Sequence, residues 1–70
     1  MKKIHAKVAK RIKALLEEEG MSADRLALEI GMSRGFLYEF LGGKKRASLD
    51  SLERIADGLN VRVKDLFPDE

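Results

Sequence analysis

The chain has 70 residues, with 14 lysines and arginines against 12 aspartates and glutamates, one histidine and no cysteine. This length leaves room for one small domain and excludes a multidomain enzyme. The absence of cysteine excludes disulfides and nearly every structural zinc site, and a lone histidine cannot form a catalytic dyad. We therefore expect a single domain over residues 1–70 that is not an enzyme, with no metal, no cofactor and no small-molecule ligand.

We expect neither a membrane span nor an export signal. No apolar run reaches the roughly 18 residues of a membrane span, and the first residues are basic rather than apolar, unlike a signal peptide. We expect a cytoplasmic protein that does not associate with membranes.

Apolar residues recur at helical spacing through most of the chain, and no long stretch alternates with the period of a strand. Each apolar stripe is bounded by residues that cap or end a helix, so the pattern predicts a compact all-α fold of five helices. The predicted helices are 4–16, ended by Gly20; one between Ser22 and Gly31; 34–41, after Ser33; one between Ser48 and Asn60; and a short one between Val61 and Pro68.

The fourth predicted helix has a clear apolar face. We expect its inward side chains to be Leu49, Leu52, Ile55, Ala56 and Leu59.

The second and third helices are joined by only Gly31, Met32 and Ser33. A three-residue turn containing glycine is typical of the helix-turn-helix, whose second helix enters the major groove of DNA. The pattern alone is weak, because any well-capped helical hairpin would show it.

Positive charge is concentrated in two segments. Residues 1–13 hold Lys2, Lys3, Lys7, Lys10, Arg11 and Lys13 without an acid, and a second cluster follows at 44–46. This asymmetry suggests an oriented approach to a polyanion, whereas the alternative is two solvated faces. For the first segment we favour a solubilising role over a phosphate-binding arm, because Ile4 and Val8 continue the apolar stripe.

The segment SADRLALEIGMSRGFLYEFLGGKKRASLDSLERIADGLNVRVKDLF resembles the Cro/repressor helix-turn-helix family, also called XRE-like or lambda-repressor-like domains. The resemblance covers about residues 8–67 and includes RIKALLEEEGMS, the turn GMS, the Gly43-Lys44 loop, SLDSLERIADGL and the terminal LF. It implies a five-helix domain with its helix-turn-helix at about 22–42. It also implies a homodimer that binds a palindromic operator and regulates transcription, as a repressor in our interpretation.

The resemblance places two kinds of DNA contact. The N-terminus of helix two and the loop after helix three would bind phosphates, through Ser22, Ala23, Gly43, Lys44, Lys45 and Arg46. Base contacts would come from the exposed start of helix three, at Ser33, Arg34, Gly35, Tyr38 and Glu39. Arg34 is the strongest candidate, because its guanidinium can donate to both O6 and N7 of guanine. Glu39 has two interpretations, a cytosine contact or an intramolecular pair with Arg34 or Lys45.

Two departures from the family pattern have consequences. Ala23 stands where relatives often have a glutamine that binds phosphate and braces helix three, and the chain has no glutamine and only one asparagine, Asn60. Adenine contacts of the bidentate type are therefore not expected on helix three.

The second departure lies in the core. Leu16 and Leu41 replace a buried Arg–Glu pair of many relatives, so we predict that these two side chains touch in the core.

The C-terminal third carries more apolar residues than a domain of this size easily hides. We predict a homodimer interface within 58–70, formed by Leu59, Val61, Val63, Leu66 and Phe67.

The alternative to a DNA-binding regulator is a protein-interaction module of the same fold whose DNA surface has degraded.

Overall fold

A computed structural model describes residues 4–68. It contains four α-helices, α1 (Ile4–Glu19), α2 (Ala23–Ile30), α3 (Arg34–Leu41) and α4 (Leu49–Leu59), followed by a 3₁₀ helix, Val63–Leu66. No strand occurs in this part of the chain, so the all-helical prediction is confirmed. None of the helices within 4–68 is long and apolar enough to cross a membrane.

The predicted fifth α-helix is wrong, because the last element is a single 3₁₀ turn of four residues. Its start is fixed by the backbone N–H of Arg62, which donates to the Asp65 carboxylate at 3.0 Å. Phe67 then returns to extended backbone, as expected for a residue that precedes proline. An element this short fits the tighter 3₁₀ geometry better than a nascent α-helix.

Helix boundaries follow from the capping residues. The Oγ atoms of Ser22, Ser33 and Ser48 each accept a hydrogen bond from the backbone N–H three residues later, at 3.1 to 3.2 Å. At the other ends, Gly31 and Asn60 adopt left-handed backbone with φ of 67° and 63°. Glycine and asparagine tolerate this conformation, so α2 and α4 stop there.

The buried side chains form one cluster to which all five elements contribute. Each element supplies at least one side chain that is wholly inaccessible to solvent, including Ile12, Leu26, Leu37, Ile55 and Leu66. No polar or charged residue within 4–68 is buried, so the cluster is held by apolar packing.

Leu49 corrects the predicted inner face of α4. Leu52, Ile55, Ala56 and Leu59 are buried as predicted, whereas Leu49 is 64% exposed. A helical stripe defines which face of a helix is apolar, but it does not define where along the helix the neighbouring elements end.

α4 packs closely against α2. Gly58 lies so near α2 that a Cβ at this position would stand 2.6 Å from Leu26 Cδ1 and 2.6 Å from Ile30 Cγ2. Four residues earlier in α4, the guanidinium of Arg54 donates to the carbonyl oxygens of Ile30 at 2.9 Å and Gly31 at 3.4 Å. α4 therefore binds the C-terminal end of α2 and holds the turn that leads into α3.

Leu16 and Leu41 both belong to the buried cluster and border the same hollow on the protein surface, next to Ala23. The structure thus brings together the two positions for which we predicted contact. Apolar packing at such a site often stabilises a domain as well as a buried ion pair does.

Candidate nucleic-acid interface

The exposed face of α3 carries the predicted base-contacting residues. Arg34, Gly35, Tyr38 and Glu39 are all exposed, and the Arg34 side chain is 69% accessible. The opposite face of α3 packs into the core through Leu37, Phe40 and Leu41. α3 therefore presents a polar face to solvent while its apolar face holds it in place.

Ser33 and Gly35 differ in how the fold uses them. The Ser33 hydroxyl is exposed, but it accepts from the Phe36 N–H as the cap of α3. A Cβ at Gly35 would meet only Ser33 Oγ, at an ordinary contact distance of 3.7 Å. Packing within the chain therefore does not require glycine at position 35.

The first turn of α2 lies beside this face. Ser22 caps the helix, and Ala23 is half-buried and borders the hollow shared by Leu16 and Leu41. Contact between Ala23 and a phosphate would therefore use its backbone N–H, one of the groups that a helix N-terminus leaves without an intrahelical partner.

Asp24, which the sequence did not single out as a site residue, links α2 to α3. Its Oδ1 accepts from the Tyr38 hydroxyl at 2.8 Å, and its Oδ2 lies 3.7 Å from a guanidinium nitrogen of Arg34. The pKa of Tyr38 is raised above its ordinary value of 10.0, mainly by the hydrogen bond to Asp24 and to a smaller extent by desolvation and by the negative charge of Asp24. The positive charge of Arg34 acts in the opposite direction and lowers this pKa. The contact with Asp24 therefore favours the protonated form of the Tyr38 hydroxyl, which is the form that donates.

Glu39 has a partner within the chain. Its carboxylate lies 3.4 Å from Lys45 Nζ, and both side chains are about half exposed. This is one of the two intramolecular pairs we considered for Glu39, while its contact with cytosine remains a prediction.

The loop after α3 presents three cations. Gly43 has φ of 81°, a left-handed conformation suited to glycine, and the Lys44 N–H donates to the Glu39 carbonyl at 2.9 Å. Lys44, Lys45 and Arg46 are exposed. Arg46 borders a different hollow, formed with the start of α1 and Phe67, whereas Lys45 contacts Glu39 of α3.

Two residues of the predicted dimer interface are corrected. Leu59 and Leu66 are 2% and 0% exposed within this single chain, so their side chains have no surface left for a second copy. Val61 and Val63 are half-buried, and Phe67 is 40% exposed. Two of the five apolar side chains that we assigned to the dimer interface, Leu59 and Leu66, therefore belong to the core of the single chain.

The N-terminal basic segment is not a free cationic arm throughout. Arg11 Nε donates to the Asp65 carbonyl at 3.0 Å and so ties α1 to the 3₁₀ helix. Lys2 and Lys3 lie outside the described residues.

Comparison with known proteins agrees with this geometry. Residues 11–70 match the family described as the Cro/C1-type HTH DNA-binding domain. The chain is 35% identical to control protein C.BamHI of Bacillus amyloliquefaciens over 52 residues, which cover 74% of this chain and 64% of that relative. It is 30% identical to control protein C.MunI of Mycoplasma sp over 70 residues, which cover 99% of this chain and 95% of the relative.

A solved structure shows the same fold. The restriction-modification controller protein C.AhdI from Aeromonas hydrophila superimposes with a TM-score of 0.86 at 25% identity, over 90% of this chain and 96% of that one. The helix-turn-helix described above is therefore found in a protein whose sequence is largely different.

Proposed function

This chain belongs to the Cro/C1-type helix-turn-helix DNA-binding family, and we propose that it is a transcription regulator of the restriction-modification controller type. Residues 1–70 act as one DNA-binding domain in the cytoplasm, at the nucleoid. Two copies bind a palindromic operator, each placing α3 in the major groove, with half-sites centred one helical turn apart.

The observation that carries this proposal is the exposure of Arg34 at the start of α3 together with the exposed loop cations, of which Lys45 contacts Glu39 on the exposed face of α3. Phosphate contacts orient a protein on DNA without selecting a sequence, and base contacts select it. Lys44 and Lys45, with the N-terminus of α2, supply the first kind of contact. Arg34 supplies the second, with Gly35 allowing the start of α3 to approach the bases.

The second copy binds through the C-terminal region. After the correction of Leu59 and Leu66, the available apolar surface is Phe67, with the half-buried Val61 and Val63 and the 49%-exposed Ile4. Ile4 and Phe67 border the same hollow, so a second copy that covers Phe67 would also cover the start of α1. Sedimentation of the DNA-free protein at tens of micromolar measures this association, and a purely monomeric species would contradict the dimer.

Selection of bound duplexes from a random DNA pool tests the DNA-binding part of the proposal. We expect an enriched palindrome with G·C pairs in each half-site, because guanine is the base that Arg34 suits best. Affinity for the enriched duplex should fall by orders of magnitude between about 50 and 200 mM salt, since several phosphate contacts release counterions. An absence of enrichment, with only weak binding at low salt, would favour the alternative of a protein-interaction module.

The controller role has its own test. Deletion of the gene in the source cell should change the transcript levels of a restriction endonuclease or a DNA methyltransferase. Unchanged transcripts, in a cell where the protein still occupies its selected site, would contradict the controller role and leave the DNA-binding function standing.

A further inference from the structure

We infer that Asp24 is a positioning residue that sets the sequence preference of this surface, by holding the Tyr38 and Arg34 side chains of α3 in one arrangement. The inference rests on the proposed function, because it concerns how the same surface distinguishes one DNA sequence from another.

The geometry uses both oxygens of one carboxylate. Oδ1 of Asp24 accepts from the Tyr38 hydroxyl at 2.8 Å, while Oδ2 faces Arg34 at 3.7 Å. Arg34 and Tyr38 are four residues apart, so they are neighbours on the exposed face of α3. Asp24 stands in the first turn of α2. One side chain of α2 thus restrains two side chains of α3 across the helix-turn-helix.

This restraint acts on the residue expected to discriminate between bases. An unrestrained arginine loses rotamer freedom when it binds, and that loss weakens binding. Restraint before DNA arrives reduces the loss only where Arg34 meets the correct base. The benefit is therefore specific to the preferred sequence.

The negative charge of Asp24 acts in the opposite direction on all DNA. A carboxylate beside the expected phosphate positions repels every duplex to a similar extent. Asp24 should therefore lower non-specific affinity while it preserves specific affinity. These two effects are separable by measurement, because one is independent of sequence and the other is not.

The test compares Asp24→Ala and Asp24→Asn with a matched control, Asp50→Asn. Asp50 is likewise an exposed acid in the first turn of a helix, α4. For each variant, the dissociation constants for the selected duplex and for a scrambled duplex are measured at one salt concentration, after circular dichroism has verified the fold. The ratio of the two constants is the readout.

We expect Asp24→Ala to bind scrambled DNA more tightly than the wild type and to lose roughly 2- to 10-fold of the ratio. Asp24→Asn should lose less, because its amide oxygen still accepts from Tyr38, and Asp50→Asn should leave the ratio unchanged. A ratio unchanged in Asp24→Ala, with both duplexes bound more tightly, would overturn the inference and make Asp24 a surface charge only.

A measurement without DNA tests the contact itself. Removal of the Asp24 carboxylate should lower the pKa of Tyr38 toward its ordinary value, as followed by titration of the tyrosine signal. An unchanged Tyr38 pKa would contradict the contact.

The DNA measurements separate failure of the proposed function from failure of this inference. If the wild type selects no sequence, the proposed function fails. If it selects one and only the ratio fails to change in Asp24→Ala, the inference alone is refuted.

Discussion

Replacement of Gly58 by alanine should destabilise the protein, whereas the same change at Gly35 should not. Both glycines lie one residue from the end of a helix, Gly58 in α4 and Gly35 in α3. Alanine favours helix over glycine by at most about 1 kcal/mol at either position. Because this gain is common to both variants, their difference isolates the effect of the added methyl group.

The surroundings of the two methyl groups differ sharply. At Gly58 the new Cβ would stand 2.6 Å from Leu26 Cδ1 and Ile30 Cγ2, well inside the roughly 3.5 to 4.0 Å of an ordinary carbon contact. Leu26 is fully buried, and Ile30 is β-branched and therefore stiff within a helix. Overpacking of this kind costs about 1 to 3 kcal/mol. At Gly35 the nearest atom, Ser33 Oγ, is 3.7 Å away.

The two variants should therefore differ in the free energy of unfolding by about 1 to 3 kcal/mol. Thermal unfolding followed by circular dichroism, at one protein concentration, measures this as a Tm difference of about 4 to 8 °C per kcal/mol for a domain of this size. A Gly58→Ala variant as stable as Gly35→Ala would refute the close packing of α2 against α4.

Further substitutions test the start of α3, the helix caps and the hydrogen bond between Tyr38 and Asp24. Gly35→Ala should weaken binding to the selected duplex more than to a scrambled one while stability is kept, and equal loss on both would contradict close approach at Gly35. Ser33→Ala should lower the free energy of unfolding by about 1 kcal/mol in a urea titration, as should Ser48→Ala, because each serine caps a helix; no change would contradict the caps. Since the folded pKa of Tyr38 is raised, its bond to Asp24 stabilises the fold below pH 10, and this contribution is lost as the pH rises through the folded pKa. The stability difference between wild type and Tyr38→Phe should accordingly vanish or reverse in strong alkali, and a difference constant from pH 8 to 11 would contradict the bond.

Local signals explain why much of the fold could be predicted. Ser22, Ser33 and Ser48 cap their helices by contacts with residues three positions away, and such contacts are visible in sequence. Gly31 and Asn60 end helices through their own backbone preferences. These signals needed no knowledge of how the helices pack.

The predictions that proved wrong concern which apolar side chains are buried, and this depends on how the elements pack against one another. Leu49 fits the apolar stripe of α4, but it lies beyond the region that other elements cover. Leu66 was assigned to a dimer surface because its spacing did not show that α1 and α4 enclose the 3₁₀ helix. Burial depends on neighbours distant in sequence, which a periodicity does not specify.

In the candidate site, too, local features could be predicted from the sequence and contacts between helices could not. The exposure of Arg34 and Tyr38 followed from helical periodicity. Their link to Asp24 did not, because it joins residues 10 and 14 positions apart on two helices whose mutual angle the sequence leaves open. An aspartate in the first turn of a helix interacts favourably with the helix dipole, and this local role says nothing about contacts of Asp24 across the turn.

The most direct test of the DNA-binding surface is the affinity of Arg34→Ala and Lys44→Ala for a selected and a scrambled duplex across a range of salt. We predict that Arg34→Ala loses about 5- to 150-fold of its preference for the selected duplex. Lys44→Ala should weaken binding to both duplexes alike and reduce the salt slope by about one. Lys64→Ala, which removes a cation from the 3₁₀ helix packed against α1 and α4, should change neither quantity. Equal behaviour of all three variants would contradict the assignment of α3 and the Gly43–Arg46 loop as the DNA-binding surface.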